Sequence, residues 1–469
     1  MRSENTCLSG DGTLQRLLQE VTHIHFIGIC GAGMRVLARM CLGRGYTVTG
    51  SDSTPDGEGG LALSLAGVAV EKPCASSSII AADMAVYSTA VPKDHPELCV
   101  AAARGIPAVS RADLLGALMQ AFRVRIGVAG THGKSTVSAM CAAILAAAGC
   151  DPTAAVGARL AGGMDGYREG GEDYFVFEAC EYRHAFLSFH PTVAVLTNAE
   201  WDHPDCFPDK DSVIRAFGAY LRLPSVTVAA VSQDDEGARA AAEGVGIPLV
   251  SFGLSAGADV RAIGLSARPL GYAFTLSVYG RPAGEVTLGV PGLHNLQNAL
   301  AAAAAAIAAG IPAERIPAAL SGFAGIGRRT ELRGSYRGVR YYDDYAHHPT
   351  EIRAALSALA TGRGRLIAIY QPHTYSRTAE LFSDFTHALS LADLVVLTDV
   401  YAAREERIAG GTSQELAAAL GKRAVYFPSP EAASLYVRSI AKEGDVVAVM
   451  GAGDLSARVF CGVLSFGEG

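Results

Sequence analysis

No two cysteines of this chain are spaced as CxxC, and none is paired with histidine at a metal-site interval, although ten cysteines are scattered along its 469 residues. That pattern argues against a zinc finger or a disulfide framework, and Cys30, Cys41 and Cys141, at expected strand ends or in helices, read as reduced core thiols of a cytoplasmic protein. Long apolar runs are lacking too. The alanine tract 299–309 is too short and too weakly apolar to cross a bilayer, and the opening MRSENTCLSGDG has neither the basic nor the apolar stretch of a secretion signal. Membrane insertion and export are therefore not expected. Basic clusters are also missing. With 39 Lys and Arg dispersed among 46 Asp and Glu, and a formal charge of -7, the chain has no electrostatic footprint for nucleic acid.

What is present is half apolar and long enough for two to four domains, each with its own core. The most informative stretch is IGVAGTHGKSTVS, residues 126–138. An apolar strand is expected to end at Ala129 and a helix to begin near Lys134. Between them, Gly130, Thr131, His132 and Gly133 form a turn whose N–H groups close around phosphate oxygens. Lys134 reaches the outer phosphates, and Ser135 or Thr136 offers a hydroxyl to Mg²⁺. The spacing is shorter than GxxxxGK[ST], so a structural glycine turn is the competing reading.

Three α/β units follow from three strand starts. In HIHFIGICGAGMR, glycines 28, 31 and 33 follow a strand, and a second strand, TVTGSD, ends in Ser51 and Asp52. This is a mononucleotide-binding βαβ pattern, with helix–sheet packing alone as the competing reading. The G-x-x-G-x-G spacing disfavours an NAD pyrophosphate site, and an NAD-dependent oxidoreductase would leave the GKST loop unexplained. The central unit runs through FVFEA and TVAVLTN to an alanine-rich helix after Asn298. The last unit, from VRYYDDYAHHP to GDVVAVMGAG, is expected to hold a largely parallel sheet. The boundaries read 1–115, 116–328 and 329–469.

Polar residues gather at strand ends. Glu178 and His203 are expected on neighbouring strand ends, where a carboxylate and an imidazole beside a triphosphate suit a second divalent cation. Asn295 and Asn298 open a helix; they cap it or present the paired donor and acceptor that an adenine edge needs, with Asn295 the better placed to cap. Arg328, Arg329 and Arg333 stand at a domain junction, suited to clamping phosphates on closure. DDYAHHPTE and QPHTYSRT pack acids, tyrosines and histidines more densely than folding alone explains.

The order GTHGKST, EACEY, NAEWDH, PGLHNLQN, GRR, DDYAHHPT and QPHTYSRT closely resembles the Mur ligases of peptidoglycan synthesis, over nearly the whole chain. The joint presence of the last two strings is similar to the branch joining L-alanine to UDP-N-acetylmuramate. The branch that attaches a tripeptide to the same sugar nucleotide, and a non-catalytic UDP-sugar-binding protein, are the alternatives. The resemblance implies an N-terminal Rossmann-like UDP-binding domain, a central P-loop ATPase-type domain and a C-terminal Rossmann-like domain. It implies ATP and Mg²⁺, with Lys134 and Ser135 on phosphates and metal, Glu178 and His203 on the second cation, and Asn295 and Asn298 on adenine. Arg329 and Asp344 would close on the nucleotide, while Tyr345, His347, His373 and Arg377 would surround the incoming amino acid. Gly28, Gly31, Gly33, Ser51, Asp52 and Ser88 match the UDP-binding turns. His347 or Asp344 would take a proton from the amine. A cytoplasmic monomer or homodimer is implied.

Two strings depart from the family's QPHRYSRT and NIEADH: Thr374 replaces an arginine, and Trp201 stands beside the expected metal ligands. Between Lys134 and Lys422 the only lysine is Lys210, so the carbamoylated lysine of sister ligases is not expected.

Overall fold

Strand-forming runs of Val, Ile, Ala and Leu recur along the chain, and central ones such as Val193–Leu196, Leu366–Tyr370 and Val446–Met450 are buried on both faces between parallel neighbours. The computed structural model describes residues 12–74, 78–88, 90–159, 166–268, 270–360, 364–403 and 405–463. The opening stretch read for a secretion signal lies almost wholly outside them. Among the described residues the strands form three sheets, of five, ten and six strands.

The first sheet runs Ala69–Glu71, Thr47–Ser51, His23–Ile27, Met84–Tyr87, Ala108–Ser110, all parallel. The chain thus reverses its direction of growth beside His23–Ile27, and Gly28–Gly33 lies at that switch point, where open α/β sheets bind ligands. In the central sheet Val124–Ala129 lies between Val193–Leu196 and Gly171–Glu178, all parallel. The strands carrying Glu178 and leading to His203 are therefore not neighbours as expected, because the phosphate-loop strand separates them. Three antiparallel strands, Val260–Ala267, Tyr272–Val278 and Arg281–Leu288, extend this sheet at one edge. With no described helix between them, they break the strand–helix alternation that marks the rest of the sheet. In the third sheet, Glu331–Tyr336 is an antiparallel edge, and Val339–Asp344, Val446–Met450, Leu366–Tyr370, Leu394–Leu397 and Ala424–Tyr426 run parallel. No described helix is long and apolar enough to cross a membrane.

The alanine tract has a packing reason beyond helix propensity. Helix Leu293–Ala308 lies against helix Lys134–Ala147, and Ala299 and Ala301–Ala306 are at most 1% exposed. Cys141 Sγ reaches Ala302 O at 3.9 Å across the contact, a separation that leaves no room for larger side chains. Ala303→Leu should lower stability by about 1–3 kcal/mol through overpacking. Urea unfolding followed by circular dichroism checks this, and an unchanged midpoint would refute close packing there.

Candidate active site

The loop between strand Val124–Ala129 and helix Lys134–Ala147 is glycine-rich for a steric reason. Gly130 and Gly133 take φ of 140° and 85°, and a Cβ on them would lie 1.9 Å from Thr197 Oγ1 and 2.4 Å from Asn298 Oδ1. Asn198 accepts the His132 N–H at 2.8 Å, and Thr131 Oγ1 donates to Glu200 O at 2.8 Å, which ties the loop to the neighbouring strand end. Lys134 Nζ donates to Gly130 O and Thr131 O at 2.5 and 3.0 Å and meets Glu181 Oε2 at 2.9 Å. Burial disfavours the Lys134 ammonium, but the Glu181 carboxylate outweighs it and raises the pKa.

A cavity of about 930 Å³ is lined by Lys134, Ser135, Glu178, Glu181 and His203. Tyr345, His347, Arg328 and Arg329 line it from the hinge and third domain. Thr136 instead lines a smaller cavity of about 280 Å³ with Asn295, Asn298, Arg329 and Asp344. Glu178 and His203 reach the large cavity from opposite sides of the phosphate-loop strand. The half-buried His203 imidazole has its pKa pushed down by desolvation, against the pull of Asp202 and Glu181. Trp201 points away from them, donating from Nε1 to Phe207 O at 2.8 Å. Lys210 is exposed and lines neither cavity.

The central and third domains are joined by charge. Arg377 Nε meets Asp202 Oδ1 at 2.9 Å with both side chains buried, so this guanidinium is committed to the central domain rather than free for an amino acid. Glu351 holds His132 Nδ1 at 3.2 Å, His347 Nδ1 at 3.2 Å and Arg329 Nη1 at 3.7 Å. Burial alone would depress His132, but Glu200 and Glu351 outweigh it and push its pKa up to about 9. His347 goes the other way, down to about 3, chiefly by burial. Its Nδ1 faces Tyr345 O at 3.1 Å as well as Glu351, so Nδ1 carries the proton and Nε2 the lone pair. Tyr345 lies under both Arg328 and Arg329, 4.9 and 5.4 Å from its ring centre.

Several expectations need correction. Asp344 accepts from Thr330 N, Thr330 Oγ1 and Ala346 N at 2.7, 2.9 and 2.8 Å, so it braces the hinge and is poorly placed to take a proton. Asn295 does not cap its helix: Gly292 is the cap residue, and Asn295 Nδ2 donates to Pro291 O at 2.7 Å while Asn298 Nδ2 donates to Asn295 Oδ1 at 3.3 Å. Ser51 is fully buried with its hydroxyl on Glu97, and its carbonyl takes the N–H groups of Gly28 and Ile29. Asp52 accepts from Cys30 N at 3.0 Å and supports the glycine turn. Ser88 Oγ accepts from Ala90 N at 3.3 Å, and Gly33 lies under Arg111, whose Nη1 would sit 3.1 Å from a Cβ there. None of these, nor Gly31, lines the large cavity; the first domain lines it with Ala32, Arg35, Val36 and Glu58.

Glu181, Asp202 and Glu351 escaped selection because each has an ordinary explanation in sequence: two loop acids, and an acid in the first turn of helix Pro349–Leu359. Only their burial distinguishes them. His132, Glu200 and His348 also bring three donor atoms within 4.8 Å of one another. His348 Nδ1 accepts from Thr350 N at 3.3 Å, however, which leaves the neutral ring's proton on Nε2 and disqualifies that nitrogen as a metal ligand.

Comparison with known proteins covers most of the chain. Family profiles described as "Mur ligase family, catalytic domain", "Mur ligase middle domain" and "Mur ligase, glutamate ligase domain" match residues 23–123, 128–306 and 328–453. The UDP-N-acetylmuramate–L-alanine ligase of Lachnospira eligens is 40% identical over 452 residues, 92% of this chain and 96% of the relative. Among solved structures, the UDP-N-acetylmuramate–alanine ligase of Thermotoga maritima superposes with a TM-score of 0.79 at 26% identity, covering 94% of this chain and 97% of that one. A murein peptide ligase from Psychrobacter arcticus gives 0.73 at 27%, covering 95% and 100%. On sequence, domain order and fold together, this chain belongs to the Mur ligase family.

Proposed function

We propose that the chain joins L-alanine to the carboxylate of UDP-N-acetylmuramate at the expense of ATP, through an acyl phosphate. One observation carries the reading: phosphate-loop Lys134 and Ser135, the Glu178–His203 pair and third-domain Tyr345 and His347 line a single cavity. The relative from Lachnospira eligens, aligned over most of both chains, is named for L-alanine, which favours the amino acid over a tripeptide.

The turn of Gly130, Thr131, His132 and Gly133 would set the ATP phosphates against the N-terminus of helix Lys134–Ala147, whose first N–H groups have no partner within the helix. Asn295 and Asn298, in the smaller cavity, would receive adenine, with Thr136, Arg329 and Asp344 on the same wall. Ser135, Glu178 and His203 offer a hydroxyl, a carboxylate and an imidazole in the cavity that holds Lys134, a donor set that fits Mg²⁺ beside phosphate. When bound, Mg²⁺ supplies charge neutralisation on the transferring phosphoryl group. Ala32, Arg35, Val36 and Glu58, which bring the first domain to the large cavity beside its glycine turn, would face the UDP-sugar.

The muramyl carboxylate is already an anion and needs no base. Its oxygen attacks the γ-phosphorus as the bond to ADP breaks, and Lys134 offsets the shifting charge. The amine of alanine, oriented by a hydrogen bond to His347 Nε2, then attacks the acyl carbon; the phosphate that leaves, a stronger base than this depressed imidazole, takes the amine's proton. Arg377 holds the third domain on the central one through Asp202.

With ATP, Mg²⁺ and UDP-N-acetylmuramate, ADP release is expected to be fastest with L-Ala among L-Ala, Gly, L-Ser and tripeptide. Release with tripeptide alone would replace this reading with the recycling reaction, and none at all would indicate a non-catalytic binder. Lys134→Ala should cut turnover by about two to three orders of magnitude, and normal ADP production would sink its role. Asp202→Asn leaves Arg377 buried without its counter-charge, so kcat/KM should fall at least about tenfold, and wild-type kinetics would refute a role for this ion pair in holding the two domains together.

A further inference from the structure

The chain beyond strand Leu394–Leu397 folds back over the segment QPHTYSRT. Tyr401 N donates to Pro372 O at 2.8 Å, and Thr374 N donates to Tyr401 O at 3.0 Å. An isolated parallel bridge pairs His373 with Tyr401, and the two rings stack with centroids 5.5 Å apart and planes 16° from parallel. Gly453 gives the tyrosine room, since a Cβ there would lie 2.7 Å from Tyr401 Cδ2. Four residues on, Glu405 accepts from Ser376 N at 2.9 Å. The same loop thus grips the segment at His373 and again at Ser376.

What it grips is strained. Thr374 has φ 67° and ψ 143°, a conformation nearly reserved for glycine, on a β-branched residue. Such a backbone persists only where its surroundings over-determine it, and the contacts from Tyr401 supply part of that determination. Arg377 Nη1 donates to His373 Nδ1 at 3.3 Å, so a neutral His373 ring carries its proton on Nε2 and presents a donor. His347, whose ring meets His373 edge to face at 5.9 Å, presents a lone pair. A donor beside an acceptor matches the carboxylate and amine of an α-amino acid. Arg377 is committed to Asp202 and Thr374 brings no charge, which leaves His373, itself lining neither cavity, as the donor that this segment sets beside the cavity-lining His347.

We propose that Tyr401 is a positioning residue: by stacking on His373 it holds that ring's Nε2–H for the carboxylate of the incoming amino acid. The proposal rests on the reading that the site takes L-alanine. Tyr401 is 39% exposed, so replacing it removes little from the core.

The test is steady-state ADP release by the full chain, varying each substrate in turn, for wild type, Tyr401→Phe and Tyr401→Ala. Alongside it, histidine-selective ¹⁵N NMR reads the His373 tautomer, assigned with His373→Gln. Tyr401→Ala should raise KM for L-Ala about tenfold, leaving the KM values for ATP and UDP-N-acetylmuramate unchanged, whereas Tyr401→Phe keeps the stacking and behaves as wild type. The single Nε2-protonated signature of His373 should become a mixture in the alanine variant only. An unchanged KM for L-Ala, an equal rise for all three substrates, or a phenylalanine variant as impaired as the alanine one would overturn the proposal. If wild type releases no ADP with L-Ala, the functional reading fails separately. The NMR comparison then decides the role of Tyr401, and an unaltered His373 signature in Tyr401→Ala refutes it.

Discussion

The arrangement of the site depends on one buried carboxylate. Glu351 is 11% exposed and cannot hold its charge there without partners, because desolvating an ion costs several kcal/mol. Its partners come from three places: His132 from the phosphate loop, Arg329 from the hinge and His347 from the third domain. Satisfying that one charge therefore draws three segments together. The pair Asp202–Arg377 and the hydrogen bond from Thr350 Oγ1 to Glu200 Oε2 at 2.7 Å add further ties across the same junction.

The same polar seam gives neighbouring histidines opposite characters. His132, between Glu200 and Glu351, keeps its proton, whereas His347 and His373 lose theirs to burial and to adjacent guanidinium groups. A cation within the phosphate loop and neutral rings around the amino-acid side are what phosphoryl transfer followed by amine attack calls for. Around the loop, small residues do the complementary work. Gly130 and Gly133 admit the walls made by Thr197 and Asn298, and the alanine face of Leu293–Ala308 lets Asn298 stand over the loop.

Much of this was legible in the chain. The strand ending at Ala129 and the helix beginning at Lys134 follow from apolar periodicity and glycine placement, and both occur where the spacing put them. Each sheet's parallel core follows from strands alternating with helices. The antiparallel extension 260–288 was not legible, because its strands are partly exposed and follow one another with no described helix between them to mark an α/β unit. Glu181, Asp202, Glu351 and Tyr401 were passed over because acids in loops and first turns, and a tyrosine after a strand, have commoner explanations.

Local sequence by itself determined which residue types are available to handle phosphate, metal and amine, and which turn needs glycine, since backbone angles and hydrogen-bonding capacity are properties of a few adjacent residues. Tertiary structure alone decided which charges neutralise which. Asp202 and Arg377 are 175 residues apart, and His132 and Glu351 are separated by 219. Burial and protonation depend on what lies across a domain junction, so no local pattern could have distinguished Glu351 at the hub from an ordinary helix-start glutamate, or the committed Arg377 from a free one.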